Sequence, residues 1–590
     1  MKQFFKFVLA TIVGIIVSTV IIVIIFVAII GGIVASAGSD NAVNVESNSI
    51  LHIDLKYAIP ERTAKNPLAD LGILGFGSEK SIGLKEILTN IKKAKTDDNI
   101  KGIFLDESYM AAGQATTEEI RNALLDFKKS KKFIVAYGEV FTQRFYYLAS
   151  VADKVYINPK GYFEFNGFES KVTFFKGALD KLGIEAQVIK VGTYKSAVEP
   201  MILTKMSDAN RLQVTSYLGS MYDHFLTSIS KSRGINKDTL FNYANQMVIQ
   251  QPEDALKYKL VDGLKYKDEL LAELKTHLGV DQKKNINSID LIDYGKADET
   301  AADASGNRIA VIYASGEIAS GEGDDNSIGS ETISKALRKV RTDSKVKAVV
   351  LRVNSPGGSS LASDVIWREV ALTKKVKPII VSMGDVAASG GYYIACAADS
   401  IIAQPNTITG SIGIFAILPN LQKLLTDKLG ITFDGVKTGQ FADLGDSSRP
   451  LTPAERAILQ NMINHGYDDF TKAVATGRHK SQQYIDSIGQ GRVWTGAQAL
   501  KIGLVDRLGN INDAVKSAAK MAKLKDYKLV TYPEQKSVLS KLGESLSAEI
   551  KTRILQSELG EDYKVYEQIK NIKSKMRLPM ARMEYDVVVE

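Results

Sequence analysis

Short β-branched apolar runs alternate with amphipathic stretches along most of this chain. Phe133 to Ala136 and Ile379 to Ser382 read as strands, and Arg308 to Tyr313 and Val346 to Val353 as buried ones. Ser360 to Leu372 instead carries Ala and Leu at helical spacing along one face. Strand–helix alternation of this kind predicts an α/β architecture in which parallel strands are covered by helices.

The first apolar run is of another kind. Lys2 and Lys6 precede an almost unbroken stretch from Phe7 to about Ala37, with no charge before Asp40. About 20 apolar residues cross a bilayer, so this stretch is long enough even when tilted. Lysines before it and none immediately after predict an N-terminus inside and a body outside. Ala35-Ser36-Ala37 resembles a signal-peptide cleavage site, which is the competing reading. A signal h-region holds about 7–15 residues, however, and this run is about twice as long. A retained anchor over residues 1–37 is expected, and under either reading the body is exported.

The pattern then repeats. Gly138-Glu139-Val140 returns as Gly384-Asp385-Val386, Tyr146-Tyr147 as Tyr392-Tyr393, and Ala152-Asp153 as Ala398-Asp399. Asp180-Lys181-Leu182-Gly183-Ile184 returns as Asp427-Lys428-Leu429-Gly430-Ile431, and Lys190-Val191-Gly192 as Lys437-Thr438-Gly439. Ala255-Leu256-Lys257 with Leu260-Val261-Asp262 matches Ala499-Leu500-Lys501 with Leu504-Val505-Asp506. Matches that keep their order at a nearly constant offset mark a duplicated domain. The expected division is a first repeat over 45–282, a polar linker over 283–306, a second repeat over 307–535 and a Lys/Glu-rich tail over 536–590.

Composition narrows the function. At 590 residues, 45% hydrophobic and 24% charged, the chain is ordinary globular material large enough for two domains. Its net charge of +8 is spread along the sequence without a basic block interleaved with aromatics, which disfavours nucleic acid as a partner. Cys396 is the single cysteine, set among small and apolar residues like a buried structural thiol, so no internal disulfide or multi-cysteine metal site exists. The five histidines form no paired-ligand pattern, which disfavours zinc catalysis.

Where the repeats disagree, chemistry emerges. Gln143 of the first copy aligns with Ser389 of the second, and Lys195 of the first with Ala442 of the second. One copy has a lysine without the serine, and the other the serine without the lysine. A serine hydroxyl needs a base to become a nucleophile, and lysine is a base only when neutral. Burial lowers a lysine pKa, and Val191, Tyr194, Ala197 and Val198 around Lys195 permit it. Ser389 lies in Ala387-Ala388-Ser389-Gly390-Gly391, between a strand and a helix-forming run. Asn354-Ser355-Pro356-Gly357-Gly358 follows another strand, and glycine turns leave backbone N–H groups open to approach. The N–H groups of Gly358 and Gly390 are the candidate oxyanion hole, a device worth about 3–4 kcal/mol per donor. Taken singly, each motif reads as a packing turn or a surface lysine; together, in reciprocal copies, they read as two halves of one site.

At these residues the chain resembles the signal peptide peptidase A family in its long, double-length bacterial form. Gly192-Thr193-Tyr194-Lys195-Ser196-Ala197-Val198-Glu199-Pro200, Asn354 to Gly358, Gly384 to Tyr393 and Thr409-Gly410-Ser411-Ile412-Gly413 carry the resemblance. It extends to the closing Ala581-Arg582-Met583-Glu584-Tyr585-Asp586. The resemblance implies tandem crotonase-like (ClpP-like) domains and a Ser/Lys protease with Ser389 as nucleophile and Lys195 as base. Ser411 matches the family's serine that hydrogen-bonds the lysine amine. It further implies a dome-shaped homotetramer on the outer face of the bacterial cytoplasmic membrane, against membrane lipid, that digests released signal peptides without metal or cofactor. Two rivals remain: an acyl-CoA hydratase-like enzyme on the same fold, and a catalytically idle membrane scaffold. Export away from cytosolic CoA counts against the first, and the intact Ser/Lys pair against the second.

Overall fold

The computed structural model describes residues 4, 6–7, 10–22, 24–25, 43–63, 82–106, 109–297, 306–324, 327–535 and 580–582. Among these, no helix is long and apolar enough to cross a membrane. The anchor expected over 1–37 lies largely outside the described residues; within it, 10–22 are helical and exposed.

The first repeat is built on six strands: β1 (Ser49–Ile53), β2 (Ile100–Asp106), β3 (Phe133–Phe141), β4 (Lys154–Phe163), β6 (Gly263–Leu264) and β7 (Ser288–Asp290). They run in the order β6-β4-β3-β2-β1-β7, and every neighbouring pair is parallel. A parallel sheet needs cover on both faces, and successive residues of each strand divide between them. Leu51, Ile53, Ile103 and Leu105 pack on Ile87 and Ile91 of helix α1 (Leu84–Thr96) and Ile120 and Leu124 of α2 (Gln114–Phe127). Ile50, Phe104 and Val135 point the other way, onto Leu270 and Leu274 of α5 (Lys267–Leu278). The linker expected over 283–306 begins inside this unit, because β7 forms the sheet's edge.

The second repeat reproduces the plan. Its strands β8 (Arg308–Ser315), β11 (Val346–Ser355), β13 (Ile379–Ala388), β14 (Ser400–Ala403), β18 (Arg507–Leu508) and β19 (Lys528–Tyr532) run β18-β14-β13-β11-β8-β19, all parallel. Strand for strand, that is the order of the first sheet. Ala310 and Ile312 face α6 (Ser330–Thr342) and α7 (Ser360–Lys374), while Ile309 and Val311 face α9 (Ile511–Met521). A short strand β15 (Ile408–Gly410) also pairs with β13, and β17 (Val493–Thr495) adds to it antiparallel.

A third sheet, mixed rather than parallel, departs from the expected pattern. It runs β10-β9-β12-β20-β16-β5, from β10 (Ser327–Gly329), β9 (Glu317–Ala319), β12 (Gly357–Ser359), β20 (Met580–Arg582), β16 (Phe415–Asn420) and β5 (Glu185–Lys190). These strands come from both repeats and from the tail, and the pairing of β5 with β16 joins the repeats edge to edge. Helix α4 (Asp208–Arg233) reaches across as well. Its N-cap Ser207 accepts from Asn210 N, and its Val214, Tyr217 and Met221 pack on Ala388, Ile408 and Val493 of the second repeat.

Candidate active site

Strand β13 ends at Ala388, and Ser389 turns the chain into helix α8 (Gly390–Ala395) with φ 54° and ψ −115°. A positive φ is rare outside glycine and is held only where the surroundings over-determine it. Here the Ser389 N–H donates to Gly410 O at 2.8 Å, and the next residue has no room for a side chain. A Cβ on Gly390 would stand 2.6 Å from Ser363 Oγ. Gly357, with φ +101°, is equally confined: a Cβ there would lie 2.8 Å from Gly390 N. The backbones of Gly357 and Gly390 therefore run side by side next to the Ser389 turn, while Gly358, expected as an oxyanion donor with Gly390, packs on the backbone of Ile318.

Lys195 arrives from the first repeat on the loop after β5. Tyr194 N donates to Gln490 O at 2.8 Å, and a Cβ on Gly491 would strike Lys195 N at 2.6 Å, so the loop lies flat against the second repeat. Gln213 of α4 locks its other side, donating to Ser196 Oγ at 2.7 Å and to Tyr194 O at 3.1 Å while accepting from Val493 N. The Lys195 side chain is fully buried, as are Ser389 and Ser411. Its Nζ lies 2.9 Å from Ser389 Oγ, 2.9 Å from Ser411 Oγ and 3.2 Å from Ser411 O, with the Phe415 ring centroid at 5.9 Å. Ser411 has a left-handed backbone too, at φ 51°, and its N–H donates to Arg492 O at 2.7 Å. The fold thus brings Lys195, Ser389 and Ser411 together within one chain. Cys396 stands apart: buried behind α8, it donates to Tyr393 O, and burial pushes its thiol up to about 12.

A buried polar cluster, whose Arg352, Glu61, Glu119 and Thr116 the sequence did not single out, lies behind this arrangement. Arg352, fully buried on β11 three residues before Ser355, donates through Nε to Glu61 Oε2 at 2.9 Å and through Nη1 to Ser382 Oγ at 2.9 Å. Its Nη2 lies 2.7 Å from Glu119 Oε1 on α2. Asn354 bridges the same cluster to β13, donating to Glu61 Oε1 and accepting from Val386 N. Asp385 accepts from Thr116 N and Thr116 Oγ1 of the first repeat. Burial, with Glu61 nearby, raises the Glu119 carboxyl to about 7 against the opposing pull of Arg352. The one local signal for this cluster is a charge inside an otherwise apolar strand, Val349-Val350-Leu351-Arg352-Val353.

Comparison with known proteins finds one family in both halves of the chain. The model of peptidase family S49 matches twice, over residues 126–281 and 371–525, so that Lys195 falls in one match and Ser389 in the other. "Protease 4" of Salmonella typhi is 37% identical over 90% of this chain and 87% of its own length. "Protease 4" of Haemophilus influenzae is 38% identical over 75% of this chain and 73% of its own. "Serine protease SPPA, chloroplastic" of Arabidopsis thaliana is 35% identical over 83% and 73%. With one family model matched in each half and relatives aligned along most of its length, the chain belongs to peptidase family S49 and is a serine protease.

Proposed function

We propose that Ser389 is the nucleophile and Lys195 the general base of an endopeptidase that degrades apolar peptides, released signal peptides among them. The observation that carries this reading is the 2.9 Å separation of Lys195 Nζ and Ser389 Oγ with both side chains fully buried. Burial disfavours the charged form of an amine, which is the condition for lysine to accept a proton. Ser411 fixes the direction of the amine from a second side.

In the first step Lys195 takes the Ser389 proton and the alkoxide adds to the peptide carbonyl carbon. The N–H groups of Gly358 and Gly390 receive the oxyanion as it forms. Lys195 then gives the proton to the departing amine nitrogen, and the C–N bond breaks. Water, deprotonated by the same lysine, hydrolyses the ester and restores Ser389. Each repeat has the crotonase-like (ClpP-like) plan, with the reacting groups at the edge where the two meet.

The apolar stretch from Phe7 to about Ala37 anchors the body at the outer face of the cytoplasmic membrane, next to substrates that leave the bilayer. Several such bodies assemble as a homotetramer. The β5–β16 pairing inside the chain supports this, because its counterpart is open. Residues 432–437, which match β5 by repeat, expose Phe433 and Val436. A second chain offering residues 168–173, the repeat match of β16, extends the same pairing head to tail, and such contacts close into rings.

A serine-directed fluorophosphonate probe tests the chemistry. One adduct on Ser389 is expected, abolished by Ser389→Ala and slowed by orders of magnitude in Lys195→Ala. Undiminished labelling of the Ser389→Ala protein would overturn the assignment.

A further inference from the structure

Lys195 is the middle residue of a three-residue turn. The Ser196 N–H donates to Tyr194 O at 2.9 Å, a single hydrogen bond that closes the turn around the lysine. One such bond fixes the direction of a long side chain poorly, and this amine must meet Ser389 Oγ and Ser411 Oγ together. Gln213 of α4 spans the turn from outside. Its Nε2 donates to Tyr194 O on one side of the lysine and to Ser196 Oγ on the other. Its Oε1 accepts from Val493 N at 3.1 Å, and Val493 stands opposite Gly410, the residue before Ser411. One amide therefore ties the lysine's turn to the strand pair that leads into Ser411.

The amide is itself held from behind. Asn210 Oδ1 accepts from Gln213 Nε2 at 3.2 Å, and Asn210 Nδ2 donates to Glu199 Oε2 at 3.0 Å. Glu199 also accepts from the N–H and the hydroxyl of Ser207, the N-cap of α4. All three side chains, Glu199, Asn210 and Gln213, are buried.

The second repeat does without this network. The helix Pro453–Arg478 is the repeat match of α4, equal in length at 26 residues. Counted from the helix start, Asn210 matches Glu455 and Gln213 matches Ile458. Glu455 bonds instead to Arg449 and to the cap residue Thr452, and Ile458 is exposed. The copy that lacks the lysine thus lacks the polar chain behind it. Joining the repeats does not call for it either, because Val214, Tyr217 and Met221 of α4 meet the second repeat as apolar surface. A buried amide is costly unless its groups are paired, so its place here needs a directional reason.

We infer that Gln213 is a positioning residue for the base, holding the Lys195 amine on Ser389 and out of water with Asn210 and Glu199 behind it. This rests on the Ser389/Lys195 reading above. A lysine that swings toward water is charged more readily, and a charged lysine cannot take the serine proton. The effect of Gln213 passes through Lys195 alone.

Steady-state kinetics of the full chain across pH, on one apolar peptide and beside thermal melts, decides this. Gln213→Leu is expected to lower kcat at least tenfold, with KM within about twofold of wild type. Its acid limb of kcat/KM should move up by about one pH unit, because the loosened amine must lose a proton it holds more firmly. Gln213→Glu keeps the acceptor for Val493 but sets a carboxylate beside the lysine's turn, so its acid limb should move further still. Either variant that melts above the assay temperature gives the reading. Ser196→Ala added to Gln213→Leu should cost little more than Gln213→Leu alone, because the contact is shared. An acid limb left at the wild-type pH, or losses that simply add, overturns the positioning role. Inactivity of Lys195→Ala in the same assay would then leave the dyad standing. Wild-type kcat in Lys195→Ala removes the dyad, and this role with it.

Discussion

The two repeats share a strand order and differ in what they do at the same position. In the second repeat the residue after β13 is Ser389, held at positive φ with its hydroxyl on Lys195. In the first, the matching residue is Gln143, at the start of α3 (Gln143–Ala149) behind the N-cap Thr142. Its amide donates to Asn166 Oδ1 and Gly167 O and accepts from the N–H groups of Asn166 and Gly167. That satisfied side chain staples down the loop whose counterpart in the second repeat carries Ser411. One copy uses the position to hold a loop, and the other to meet Lys195. The lysine shows the reverse: Lys195 is driven into the other repeat after β5, whereas Ala442 lies exposed in a turn. A duplicated fold can therefore divide the proposed site, each copy keeping its framework while the other supplies the missing group.

The sharpest way to break the comparison is to remove either half. Ser389→Ala and Lys195→Ala are each expected to lower kcat/KM for an apolar peptide by about 10⁴-fold or more, with the melting temperature little changed; activity assays beside thermal melts check this. Next is the cluster that clamps the repeats together. Arg352→Met leaves Glu61 and Glu119 buried without their cation, so unfolding by urea is expected to show a loss of about 3–5 kcal/mol. Glu119 gives that cluster a pH signature. Its folded pKa, about 7, stands above its ordinary 4.5, so the folded state holds the extra proton between those values. Wild-type stability should fall as pH rises from 4.5 to 7, and Glu119→Gln should flatten that slope; equal slopes would refute the assignment.

Smaller effects sharpen the picture. Ser411→Ala removes one of the contacts that aim the lysine, and a roughly tenfold to hundredfold drop in kcat with KM nearly unchanged is expected from steady-state kinetics. Gln143→Ser installs the missing serine in the first repeat. No second activity should appear in a Lys195→Ala background, because the position that matches the lysine is Ala442, and thermal melts should show a loss of about 1–3 kcal/mol from the unstapled loop.

Much of this was legible in the sequence because it rested on repetition. The α/β plan followed from buried apolar runs such as Val346 to Val353, and the duplication from matches such as Gly138-Glu139-Val140 with Gly384-Asp385-Val386. Reciprocal differences then pointed to Lys195 and Ser389, which the fold places 2.9 Å apart. What stayed hidden depends on contacts between segments far apart in the chain. Nothing around Glu61 or Glu119 announces Arg352, some 230 to 290 residues away, because buried charge pairing is a property of packing. The third sheet escaped for the same reason: β5 and β20 are short strands far apart in the chain, and each pairs with β16, which lies between them in the sheet.

Mixing two disabled chains tests the shared site most directly. Lys195→Ala and Ser389→Ala proteins, co-expressed with different tags and purified as mixed assemblies, would be assayed on one apolar peptide. A dyad completed within each chain predicts that the mixture stays as inactive as either variant alone. Recovery toward about a quarter of wild-type activity, the share of intact pairs expected if serine and lysine came from neighbouring chains, would contradict it.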